Sequence, residues 1–222
     1  MKESGFTPPS YNTKQEFIYQ ALRDAIMRCE IQPEQRLIIQ NIADQFGVSS
    51  IPVREALRML HSEDLIEYKP HIGAIASPIS KASIVETFTI KEALEAVATR
   101  TAVERMTPEN LQLLKQHVAD MDDALQNGDY EAWGALNTEF HDAITNMTGM
   151  PMLKEITKKI LNKWNRIRHY FFSEVLVHRL IRSQEEHHAI MRAIAEGNAE
   201  EAEQLAKAHN QNALKDYMAH LE

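Results

Sequence analysis

Apolar and polar positions along the chain change their rhythm partway. Over Lys14 to Glu30, Ile18, Leu22 and Ile26 recur on one helical face, with Ala21 and Ala25 beside them. Pro33 lies beyond its end, where the missing N–H and fixed φ stop helical hydrogen bonding. A second short helix fits Gln40 to Phe46, with Gly47 as its stop. A third begins near Ser49 or Ser50, both good N-caps, and buries Val53, Ala56, Leu57 and Leu60 at i, i+3, i+4, i+7. The segments LIEYKP and IGAIASP then flank a turn at His71 to Gly73 and predict a β-hairpin.

After Pro78 only the helical rhythm remains, broken at Thr107-Pro108, Asn127-Gly128-Asp129, Thr148-Gly149-Met150-Pro151 and Glu196-Gly197-Asn198. The breaks leave about six segments of roughly 20 residues, lengths that suit a helix bundle. The expected fold is therefore mainly α. A head of three helices and a small β-hairpin spans 13–78, and an all-helical body spans 79–222. Residues 1–12, with Gly5, Pro8, Pro9 and Ser10 and no periodicity, predict a mobile arm.

The third helix carries the first candidate chemistry. Pro52 falls in its first turn, where an N–H would be unpaired anyway. Arg54, Glu55 and Arg58 lie off the buried stripe. Two helices joined by a tight glycine turn, followed by a hairpin, make a winged helix-turn-helix. Its second helix presents its N-terminal residues to base edges in the major groove. The candidate DNA contacts on this helix and its flanks are Arg54, Arg58, Ser49, Ser50, Gln40, and the wing tip from His71 to Gly73.

Charge bounds this reading without opposing it. The whole chain carries −8, and its first 78 residues hold eight basic against ten acidic groups. That excludes indiscriminate nucleic-acid binding but not a few placed arginines. A single cysteine, Cys29, excludes an internal disulfide framework and fits a reducing cytoplasm. No apolar run is long enough to cross a bilayer, and the first residues lack the apolar core of a signal peptide. A soluble, cytoplasmic protein with no membrane partner is expected.

The stretch IADQFGVSSIPVREALRMLHSEDLIE resembles the signature of the GntR family of bacterial transcription regulators, over about residues 14–78. The resemblance implies a double-stranded DNA operator. It also implies a homodimer whose recognition helices sit one DNA turn apart, about 34–36 Å. Two positions depart from the pattern: the family has Arg where this chain has Ser50, and Gly where it has Asp64.

The body holds most of the ten histidines. Asn137 and His141 are i, i+4 on one helix, and His187, His188 and His209 lie on later ones. Spacing alone leaves open a metal site between facing helices or ordinary surface histidines. The body is similar to the FCD branch of the same family, an effector domain that binds a divalent metal through Asp-x-x-x-His and two further histidines. That similarity implies Asn137, His141, His187 and His209 as ligands, with zinc or nickel as the ion, and His188 pointing away. It further implies a small organic-acid effector, with Lys91, Arg168 and Tyr170 lining the cavity. The expected function is a ligand-responsive transcription regulator, with repression the commoner arrangement. The alternative is a metal-dependent enzyme on a helical bundle, with Glu139 or Glu186 as acid–base.

Overall fold

The computed structural model describes residues 13–172, 175 and 177–221, and it divides into two compact units, 1–78 and 79–222. The arm expected at 1–12 lies outside the described residues.

The first unit contains α1 (Lys14–Met27), α2 (Ile39–Phe46), α3 (Ser50–Ser62), β1 (Ile66–Lys69) and β2 (Gly73–Ala76). Thr13 caps α1, its hydroxyl accepting from the Glu16 N–H at 3.2 Å. The helix ends before Glu30 because Cys29 takes a left-handed φ of 57°. Gly47, at φ 62°, closes α2 and turns the chain into α3. Ile18, Leu22 and Ile26 of α1 pack on Val53, Ala56, Leu57 and Leu60 of α3, all buried. Burying each such side chain contributes roughly 1.5–3 kcal/mol, so α3 is fixed from behind while its front stays open. The strands pair antiparallel from Ile66–Ala76 to Lys69–Gly73, and Arg36 adds a bridge to Ile75.

Asp64, one of the two departures from the family pattern, sits between α3 and β1 at φ 59°. Only glycine adopts that region freely, and Asp tolerates it better than most residues. The Ser77 hydroxyl donates to its carbonyl at 2.7 Å.

The second unit packs α4 (Lys81–Glu104), α5 (Pro108–Gln126), α6 (Tyr130–Met147), α7 (Pro151–Tyr170), α8 (Val177–Ala195) and α9 (Ala199–His220). Each sequence break resolves into a cap or turn. Ser80 and Ser83 form a capping box on α4, Thr107 caps α5 with Pro108 in its first turn, and Asp129 and Asn198 cap α6 and α9. One apolar cluster gathers Leu114, Met121, Trp133, Phe140, Leu180, Ile190 and Ile194. A second gathers Ile84, Phe88, Leu161, Trp164 and Tyr217 from α4, α7 and α9. Polar groups are buried between them, on α4, α6, α8 and α9.

The backbone at Asp64 yields a stability test. Asp64→Gly and Asp64→Ala both remove the side chain, so their difference isolates the left-handed strain. Urea unfolding is expected to place the glycine variant about 1 kcal/mol above the alanine variant. The opposite order, normal for ordinary backbone, would show no strain there.

Candidate functional site

On the head, Arg54 projects from the second turn of α3 and is exposed. Among the described residues, none gives it a hydrogen bond or ion pair. It lines a concavity of about 360 Å³ with Arg36, Gln40, Ser50, Ile72 and Gly73, at the junction of α2, α3 and the hairpin. Two guanidinium groups therefore share one recess beside the N-terminus of the recognition helix. That arrangement suits phosphate oxygens and the acceptor pair of guanine. Ser49 is the N-cap residue of α3 but its side chain makes no cap hydrogen bond, which leaves the hydroxyl for a ligand. His71, at φ 64°, and Gly73, at φ 95°, turn the exposed wing tip.

Arg58 stands apart from the recess. It is exposed, and its Nη1 donates to Glu55 Oε1 at 2.8 Å. Gln40 Nε2 donates to Asp44 at 2.8 Å, so it must exchange that partner to meet DNA. Sequence reasoning missed Arg36 because it falls in a connection with no periodicity. It also passed over Ile51, which is 70% exposed in the first turn of α3.

In the body, His141 of α6, His187 of α8 and His209 of α9 converge, all buried. Their ligand atoms lie within 4.8 Å of one another, and the ring centroids are 4.7–5.5 Å apart. Nitrogens bound to one ion at about 2.0–2.1 Å stand roughly 3–3.5 Å apart, so small side-chain adjustments close this set on a metal. His141 Nε2 and both ring nitrogens of His187 are buried with no hydrogen-bond partner. Leaving such groups unpaired costs about 1–3 kcal/mol each, which a ligand would recover.

The outward nitrogens are held by carboxylates. His209 Nδ1 is 2.7 Å from Glu186 Oε2, and His141 Nδ1 is 3.3 Å from Glu95 Oε1. A carboxylate only accepts, so the His209–Glu186 hydrogen bond fixes that proton on Nδ1 and leaves the His209 Nε2 lone pair for an ion, whereas the His141–Glu95 contact is an ion-pair distance without a hydrogen bond. Glu186 also accepts from Asn212 at 2.8 Å and from Arg179 at 2.6 Å, and Arg179 donates to Asp216 at 2.9 Å. Glu95 accepts from Lys91 at 2.8 Å and Asn210 at 2.7 Å. Burial resists the Glu95 charge, but His141, Lys91 and Asn210 outweigh it and hold the carboxyl down at about 2. Burial lowers all three imidazoles, His141 to about 4, so they stay neutral as ligands require.

Asn137 is buried one turn before His141 on α6, with no hydrogen bond to its amide among the described residues. His188 points away, as expected, and contacts Asp122 at 3.0 Å. Lys91 belongs to this region but is engaged. It is buried between Glu95 and Asn210, the latter at 2.9 Å, so its charge is already matched. Arg168 is buried on α7. Tyr170 is 40% exposed with its ring against Phe171, and the buried phenol near Arg168 is Tyr217. Glu95 and Arg179 escaped sequence reasoning. Their one signal is spacing: Lys91 with Glu95 at i, i+4, and Arg179, Ser183 and Glu186 on one face of α8.

A winged helix-turn-helix head with a helical body is the architecture of a DNA-binding regulator. The chain matches the family model for bacterial regulatory proteins of the gntR family over residues 14–75, and that for the FCD domain over 86–212. It belongs to the GntR family, and its body is an FCD domain. The transcriptional regulator McbR of Escherichia coli is 30% identical over 164 residues, 74% of each chain. The repressor RspR of the same species is 27% identical over 158 residues, 71% of this chain and 69% of its own. The solved structure of E. coli McbR/YncC aligns with a TM-score of 0.74 and 26% identity, over 93% of this chain and 98% of that one.

The protein is thus a DNA-binding transcription regulator and not an enzyme. The two acid–base candidates have other surroundings: Glu186 is committed to His209 and Arg179, and Glu139 is exposed, 4.0 Å from His117. Among the described residues, no helix is long and apolar enough to cross a membrane.

Two measurements follow from these geometries. On an operator selected from a random duplex pool, Arg54→Ala is expected to cost more than about 1 kcal/mol at fixed salt, and Arg58→Ala less. Equal losses would contradict the recess as the reading surface. For chelator-treated protein, unfolded histidines bind protons near pH 6.5 that the folded cluster refuses. Stability is then complete above pH 6.5 and is lost as pH falls towards 4. Urea midpoints at pH 7.5 and 5.5 check this, and His141→Gln should shrink the difference. An unchanged slope in that variant would contradict it.

Proposed function

We propose that the protein is a homodimeric, metal-containing repressor that releases or retains its operator according to a small carboxylate bound at the ion. The observation that carries the reading is the buried imidazole triad, with carboxylates on the outward nitrogens of His141 and His209 and unpartnered inner nitrogens. His141, His187 and His209 would hold the ion, with the Asn137 amide as a fourth ligand. Zinc or nickel suits three imidazoles. Bound there, the ion supplies a positive, Lewis-acidic centre. A neutral amide in place of a carboxylate leaves its charge undiminished, which favours an anionic effector. The triad is committed to holding and not to turnover, and the protein works in the cytoplasm on its operator.

The dimer reading draws on α4. Its exposed face runs Glu86, Ile90, Ala93, Val97, Arg100, an apolar centre between opposite charges. Paired antiparallel about a two-fold axis, two such faces bury the centre and set Glu86 against the partner's basic end. The repressive sign follows relatives named as repressors, RspR and a probable D-xylose operon repressor of Paenarthrobacter nicotinovorans. The effector acts by binding two arrangements of the bundle unequally, since equal affinity shifts nothing.

Elemental analysis of untagged protein tests the metal directly. Near-stoichiometric zinc or nickel is expected in the wild type, lost in His187→Ala and His209→Ala. Asn137→Asp is expected to tighten the metal and weaken carboxylate binding. Metal-free wild type after reloading attempts would refute the reading.

A further inference from the structure

Two buried cations of the body have matched charges: Lys91 has Glu95, and Arg179 has Glu186 and Asp216. Arg168 is different. Its side chain is 6% exposed, its Nε has no hydrogen-bond partner, and no carboxylate lies within ion-pair distance among the described residues. Exposed Glu131 acts on it only through space. An unmatched buried guanidinium is costly, and proteins retain such a group where a counter-charge arrives.

The chain makes room for it. A Cβ on Gly134 would stand 1.5 Å from Arg168 Nη1 and 2.7 Å from its Cζ, so the guanidinium comes up to the α6 backbone at this glycine with Nη1 foremost. Gly134, Asn137 and His141 are i, i+3, i+7 on α6 and share one face. Seven residues put Gly134 about 10 Å from His141 along the axis. Arg168 therefore occupies the same face of α6 as the imidazole cluster, two turns away.

Further unpartnered donors accompany it. The Tyr217 hydroxyl and Trp164 Nε1 are buried without hydrogen bonds, and their rings are 5.5 Å apart. Tyr217 interacts electrostatically with Arg168. Lys91 Nζ is 5.7 Å from the Trp164 ring, so this aromatic wall continues to the Glu95 network behind His141. Apolar Phe88 packs on both rings, 5.0 Å from Trp164 and 5.5 Å from Tyr217.

We propose that Arg168, with Tyr217 and Trp164, is a second anion anchor, and that the effector is a small two-headed acid with one acidic group at the imidazole cluster and the other on Arg168. This rests on the metal-carboxylate reading for the first head only. The simplest members of the class are four- to six-carbon dicarboxylates. One head alone would leave either the ion or the guanidinium uncompensated. The guanidinium donates paired N–H groups that match a carboxylate, which lysine would not do as well.

The test is calorimetric titration of full-length, zinc-loaded protein with succinate, glutarate and adipate against butyrate, valerate and hexanoate. The best dicarboxylate is expected to bind at least tenfold more tightly than the monoacid of its length. Arg168→Gln should erase that preference while zinc content and monoacid affinity stay unchanged. Gly134→Ala, which displaces the guanidinium, should reduce it in the same way. Equal binding of the two series, or a preference that survives both variants, overturns the proposal and leaves the metal-carboxylate reading standing. An Arg168-dependent preference that persists in chelator-treated protein supports the anchor and sinks the metal reading. Absence of binding by every acid overturns both.

Discussion

Three imidazoles share the interior of the body, and most of the polar architecture around them follows from that burial. A histidine in an apolar core cannot easily ionise, and its two nitrogens still need partners. Here the outward nitrogens of His141 and His209 meet Glu95 and Glu186. Each carboxylate then needs its own compensation, which Lys91 and Asn210 supply on one side and Arg179 and Asn212 on the other. Two buried networks thus converge on one point whose inner nitrogens are left open.

Stability and function pull in opposite directions at this point. A core of leucines in the same place would leave no unpaired group. The chain instead retains unpartnered nitrogens on His141 and His187, an unmatched Arg168, and an unbonded Tyr217 hydroxyl. Polar groups of both kinds, bases and cations, line one side of α6. The head resolves the same tension differently. Its arginines sit on the exposed front of a helix whose back is fully buried, so their open charges cost little until DNA arrives.

Much of this was legible in the sequence because it depends on local periodicity. The buried stripe of α3, the glycine turn before it and the caps of the body helices all follow from short-range chemistry. The histidine triad was legible through the family pattern, since spacing alone did not separate it from surface histidines. Other features were hidden for identifiable reasons. Lys91 was expected to line an effector cavity, and its partner Glu95 went unread because only packing against α9 buries the pair. Arg168 and Tyr170 sit two residues apart, about 200° around a helix, so they cannot line one wall. Tyr217 was invisible because nothing near it in sequence marks a site. Gly134, which admits Arg168, carries no signal in the sequence because the reason for it lies in a side chain of α7.

The most direct measurement is X-ray absorption at the metal edge on purified full-length protein. The account predicts one ion per chain surrounded by three imidazole nitrogens at about 2.0–2.1 Å, with one imidazole lost in His187→Ala. A first shell of water oxygens without imidazole scattering would contradict it.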